Sequence, residues 1–291
     1  IVAGAGDEGT AKVLEGADAL FEKIEQPDNS DLLQQGILEL FAGLVKTKAG
    51  RAHTKELLGE ERLVRLIVGL LAEQQSSFTK IKAAVVANKA LLVLPEELSD
   101  EAAAPRSEHD SLVQAAVSQG VVHYLLALTA NCPTLQHEDD SVKQALDELL
   151  EYLVGYGASR YDAYQQAKEA AQNNPDDVTD ANPSAAATED DNVNAQPPLN
   201  PEEWAALLNT KASFPRYGLT DATPLHVAIV AGCERHALTL LKHGARCDEV
   251  DGNGVTPVLQ AILYGEAAVC AAMTAEERSD VDVDALDSNG N

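Results

Sequence analysis

Apolar residues recur at Val13, Leu14, Ala17, Leu20, Phe21 and Ile24, and again at Leu33, Ile37, Leu40, Phe41, Leu44 and Val45. This is the spacing of one buried face on a 3.6-residue period, and it predicts two amphipathic helices. Pro27-Asp28-Asn29-Ser30 lies between them and supplies a turn and an N-cap, since Ser and Asn oxygens accept from free amides of a first helical turn. The same reading predicts a short helix at 54–58, then helices over 60–74, 79–93, 111–118, 121–130, 141–154 and 160–171. Strand alternation is essentially missing. Aromatics are 4% of the residues while Ala and Leu abound, so the predicted class is all-α, an α-solenoid.

The helices repeat. Leu57-Leu58-Gly59-Glu60-Glu61-Arg62-Leu63-Val64-Arg65-Leu66-Ile67-Val68-Gly69-Leu70-Leu71 is followed by Ile81-Lys82-Ala83-Ala84. Gln119-Gly120-Val121-Val122-His123-Tyr124-Leu125-Leu126-Ala127-Leu128 is followed in the same way by Val142-Lys143-Gln144-Ala145-Leu146. A short helix, a glycine corner, a Leu-rich helix and a long third helix with small residues resemble the armadillo repeat over residues 10–172. The copies lie about 58 to 61 residues apart, beyond the about 40–47 of such repeats, so 95–110 is read as an insertion. The resemblance implies a concave peptide-binding face. It makes Asn88, on the third helix, a candidate clamp for the backbone of an extended peptide, although Ala84 stands where a partner Trp would be.

From 173 to 200 Asn, Asp, Ala and Pro dominate and no Lys or Arg occurs, so the segment is read as a flexible acidic linker between separately folded halves. Beyond it Thr223-Pro224-Leu225-His226-Val227-Ala228 is followed by Gly232, Leu240-Leu241 and Gly244-Ala245. Thr256-Pro257-Val258-Leu259-Gln260-Ala261 restates the opening, with Gly265 at the matching turn. Proline suits a first helical turn, where its missing amide has no partner, and glycine suits helix ends that need positive φ. The motif, and the step from Thr223 to Thr256, closely resemble the ankyrin repeat and its period. The resemblance implies a structural role for Thr223, Pro224, Leu225, His226, Gly232, Gly244, Thr256 and Pro257, and a tip between units at Asp251, Asn253 and Gly254. Residues 201–221 are read as a capping half-repeat. Asp287-Ser288-Asn289-Gly290 restates the tip, so the array is expected to continue beyond Asn291, with Val258, Ile262 and Val269 on the face awaiting the next unit. The organisation expected is therefore an armadillo-like domain over 1–172, the linker over 173–200 and an ankyrin-like domain over 201–291.

Charge narrows the partners. The 291 residues carry 21 Lys and Arg against 47 Asp and Glu, a formal charge of −26. Residues 1–172 hold 15 against 27 and residues 173–291 hold 6 against 20, so both halves are acidic. Such a chain repels nucleic acid and anionic membranes and favours a protein partner with a basic patch. No run of 18 apolar residues occurs, which argues against membrane insertion. Cys132, Cys233, Cys247 and Cys270 show no paired spacing, which suits a reducing compartment: the cytoplasm, with nuclear or cytoskeletal and ciliary association as variants. The start at Ile1, without a methionine or a signal-peptide pattern, reads as an internal point of a longer chain.

Catalytic chemistry finds little support. Gly4-Ala5-Gly6-Asp7-Glu8-Gly9 fits a dinucleotide-binding spacing but lacks the strand before it and the second strand with a ribose-binding acid. His137-Glu138-Asp139-Asp140 offers metal-ligand types, yet helix capping explains it more simply. His226 is read as architectural. No phosphate-binding loop, nucleophile elbow, zinc-protease or calcium-loop pattern occurs. The expectation is a non-enzymatic scaffold that needs no cofactor or metal. The alternative is the regulatory region of a larger enzyme of kinase or ubiquitin-ligase type.

Overall fold

A computed structural model describes residues 31–46, 48–72, 75–92, 108–131, 140–173 and 197–275, together with 281 and 290. The expected helix at 13–24, the glycine motif at 4–9, His137, the linker over 174–196 and Asp287 lie outside them. The described residues are mostly helical. α1 is Asp31–Leu44, α2 Lys48–Leu71, α3 Ser77–Leu91, α4 Glu108–Ser118, α5 Val121–Asn131 and α6 Asp140–Asn173. α7 is Pro201–Leu208, α8 Pro224–Val230, α9 Glu234–Lys242, α10 Pro257–Tyr264 and α11 Ala267–Met273.

Two corners set the course of the first region. Inside α2 the backbone leaves helical geometry at Gly59 (φ 66°), and Gly120 (φ 84°) separates α4 from α5, whose axes differ by 61°. Positive φ is strained for any residue with a Cβ, so glycine is the residue these corners require. Each corner is followed by an apolar helix and then a longer one, α3 or α6. α6 differs from the sequence expectation of two helices broken near Gly155: it runs unbroken for 34 residues. Its glycines serve packing instead. A Cβ on Gly157 would fall 2.1 Å from Trp204 Cγ, and one on Gly155 would meet the His243 ring at 3.5 Å.

The second region contains a hairpin that the sequence reading lacked. β1 (Ala212–Phe214) pairs antiparallel with β2 (Leu219–Ala222) across a turn that ends at Gly218 (φ 68°). Strands this short are unable to show alternation clearly in sequence. Their buried side chains, Phe214, Leu219 and Ala222, nevertheless anchor the hairpin.

The two regions share one buried core that extends from Ile37 to Met273. α7 packs on α4 and α6, α8 on α5, and α9 on α6. Trp204, 2% exposed, donates its indole N–H to Val154 O at 2.9 Å, and His123 of α5 reaches Thr210 O at 3.1 Å. Thr129 Oγ1 meets Cys233 Sγ at 3.1 Å, and Arg235 pairs with Asp147 and Glu151 of α6. The expectation of separately folded halves thus meets an interface with an apolar centre and a charged rim. No single described helix is long and apolar enough to cross a membrane.

Candidate interaction surface

The first helix pair of the second region, α8 and α9, is built around an imidazole. Thr223 caps α8 in extended conformation, with Pro224 in the first turn. His226 is fully buried; its Nδ1 accepts from the Thr223 N–H at 3.2 Å and lies 2.8 Å from the Thr223 hydroxyl. With Nδ1 accepting, Nε2 carries the proton and donates to Val255 O at 3.0 Å. The ring therefore ties the start of one helix pair to the strand of chain that leads into the next. Burial holds it below its ordinary pKa, against the opposing pull of the Val255 carbonyl. Leu225 is buried beside it, Gly232 (φ 64°) turns the chain into α9, and Gly244 (φ 93°) ends that helix against Ala205 of α7.

The loop to the second pair is held by a carboxylate. Asp251 accepts from the backbone N–H groups of Asn253 at 2.9 Å and Val255 at 2.8 Å, and Gly254 (φ 76°) completes the turn. The Gly252 N–H donates to Thr220 O, so this tip sits on the hairpin. Thr256 then caps α10 by accepting from the Leu259 N–H at 3.3 Å, with Pro257 in the first turn and Gly265 (φ 75°) at its end. Leu259 stands where the first pair has His226, so the second pair has no equivalent imidazole network.

Exposure distinguishes the two pairs. Ile229 is buried, while Val230 and Ala231 are half-buried. Their counterparts in the second pair, Ile262, Leu263 and Tyr264, are 62%, 74% and 53% exposed. Val258 and Val269, expected on the open face with Ile262, are instead buried. Leu263 and Tyr264 escaped sequence reading; the available signal was three consecutive apolar residues before Gly265, a run one helix cannot bury on a single face.

Asn88 is placed differently from a peptide clamp. It is 4% exposed and its Nδ2 donates to Ala145 O at 2.8 Å, fixing α3 to α6. A second buried polar group lies where α4 meets α6. Asp110 accepts from the Tyr156 hydroxyl at 2.8 Å and from Arg160 Nε at 3.1 Å, while His109 Nε2 lies 2.7 Å from the Tyr152 hydroxyl. Burial and the neighbouring carboxylate push the Tyr156 phenol above its ordinary range. Tyr152, Tyr156, Ser159, Arg160 and Ala163 line a cavity of about 180 Å³ here, below the usual size of a small-molecule site. This arrangement orients helices through a satisfied ion pair.

Scanned against protein-family models and searched against curated proteins, the chain matches no family and no curated protein.

Proposed function

We propose that the chain is a non-catalytic scaffold that docks protein partners. Its frame is an α-solenoid, armadillo-like over the first region and ankyrin-like over the second, and its docking strip is the edge formed by Val230, Ala231, Leu263 and Tyr264. The observation that carries this reading is the exposure of Leu263 and Tyr264, adjacent large side chains at 74% and 53%. Apolar groups held together in water mark an interaction site more often than a neutral surface. The two glycine-cornered helix runs, and the two Thr-Pro helix pairs that open at Thr223 and Thr256, support the frame. The charge of −26 supports a partner whose apolar contact is ringed by Lys and Arg. The free thiols of Cys233 and Cys270 support a reducing compartment such as the cytoplasm.

The test compares the whole chain with its Leu263→Asp, Tyr264→Asp double variant as baits, the captured proteins being quantified by mass spectrometry. Both positions are exposed, so circular dichroism should show the variant folded. The reading predicts basic-surfaced partners whose capture falls about tenfold or more in the variant, as for central interface residues. It also predicts association that slows as salt rises. An unchanged set of captured proteins contradicts it.

A further inference from the structure

The apolar edge at Leu263 and Tyr264 runs on into carboxylates. Gly265 and Glu266 follow directly, and a Cβ on Gly232 would lie 3.9 Å from Glu266 Oε1, so that carboxylate rests on the turn between α8 and α9. Glu234, exposed, opens α9 two residues after Gly232. Neither glutamate makes an ion pair among the described residues. The next residue, Arg235, reaches across the joint to α6: its Nη1 lies 3.7 Å from Asp147 Oδ2 and its Nη2 2.5 Å from Glu151 Oε1, with the arginine side chain 64% exposed. Cys233 stands between the two groups of acids. Burial pushes its thiol above the ordinary value, and the carboxylates of Asp147 and Glu266 add to that push.

This order along the edge selects a partner. A second copy of the chain would bring another formal charge of −26, and nucleic acid and anionic membranes are repelled in the same way. A segment that sets Lys or Arg beside a bulky apolar side chain meets both halves of the edge at once, and opposite charges across a rim steer encounter and fix register. Arg235 is a precedent within the chain: a guanidinium already rests on Asp147 and Glu151. Exposed pairs of this kind are weak, so an incoming cation can replace it at small cost.

Resting on the docking reading above, we infer that the strip headed by Leu263 and Tyr264 continues over Glu266 and Glu234 onto Asp147 and Glu151 of α6, and takes one basic segment of another protein, with its apolar anchor on the pair and its Lys or Arg on the carboxylates. Arg235 competes for the last two acids and so holds the affinity down. Because the strip crosses from α10 and α11 to α6, the bound segment clasps both regions.

The experiment uses the whole 291-residue chain and a fluorescently labelled synthetic peptide of leucine and lysine at helical spacing, followed by anisotropy, beside versions with glutamate for lysine and with serine for leucine. The leucine-lysine peptide should bind and the other two should not. Glu234→Gln with Glu266→Gln should raise its Kd about three- to tenfold, the combined size of two exposed ion pairs. Arg235→Gln, which frees two carboxylates, should lower the Kd about two- to fivefold, with unchanged Trp204 emission showing the joint intact. Asp162→Asn with Glu169→Gln removes the same charge about 16 Å or more along α6 from Glu151, beyond the screening length, and should leave the Kd within about twofold. Failure of the leucine-lysine peptide to bind, an equal loss from the distant pair, or no tightening on Arg235→Gln overturns the inference; if Arg235→Gln disturbs the Trp204 emission, the two glutamine and asparagine pairs decide alone. Leu263→Asp with Tyr264→Asp keeps the readings apart: if it abolishes binding while the charge variants change nothing, docking stands and this inference falls.

Discussion

Trp204 lies across Gly157. A Cβ on that glycine would fall 2.1 Å from the indole Cγ and 2.2 Å from Cδ2, and the ring N–H is held by Val154 O one turn away. The close approach lets α7 lie on α6 with its single tryptophan buried, and so brings α8 and α9 against α5 and α6. Gly157→Ala should therefore destabilise the whole chain despite alanine's higher helix propensity. The expected cost is about 1–3 kcal/mol from overpacking, seen as a lower urea midpoint. An unchanged or higher midpoint would show that the indole yields freely.

Acid should weaken the fold before the carboxylates titrate. His123, His226 and His236 are all held below the ordinary imidazole range, in each case chiefly by burial, and His123 is lowered to about 4. Asp147, 3.3 Å from His236, pulls that ring the other way. The unfolded chain takes these protons near pH 6.5, whereas folded His123 resists until about pH 4. Stability is thus full above about pH 6.5 and falls as the pH drops below it, by about 2 kcal/mol from His123 between pH 7.5 and 5. Urea midpoints over that range should show the slope, and His123→Gln should flatten it. A level wild-type profile would contradict the assignment.

The Asp110–Arg160 pair is almost wholly inside the protein, its side chains 1% and 5% exposed. Arg160→Met leaves the Asp110 carboxylate buried with its cation gone and should cost about 3–5 kcal/mol. Replacing both partners with apolar residues should recover much of that loss. A double-mutant cycle with no coupling between the two positions would refute a structural role for the pair.

Helix period, turn chemistry and glycine corners were legible in the sequence because each is a local property of a few residues. α1, α3, the turns at Gly59 and Gly120, and the Thr-Pro openings at Thr223 and Thr256 lie where the pattern puts them. What failed to show was long-range. Gly155 and Gly157 look like helix breakers until the side chains of His243 and Trp204 occupy the space beside them. Asn88 looks like an open polar position until Ala145, far along the chain, takes its amide. The hairpin at 212–222 is too short for its alternation to be read. The surface was half legible: Ile262 followed from the repeat, whereas Leu263 and Tyr264 stand out only once the outward side of α10 is known.

Whether the two helical regions form one body matters most, and Trp204 is placed to test it. As the one tryptophan in the chain, its fluorescence reports the joint alone, while far-UV ellipticity reports the helices of both regions. In a single urea titration the two signals should change together, with coincident midpoints and equal slopes, as for one cooperative unit. Loss of the Trp204 signal at lower urea, with most of the ellipticity retained, would mean that the regions fold apart and that the joint is incidental.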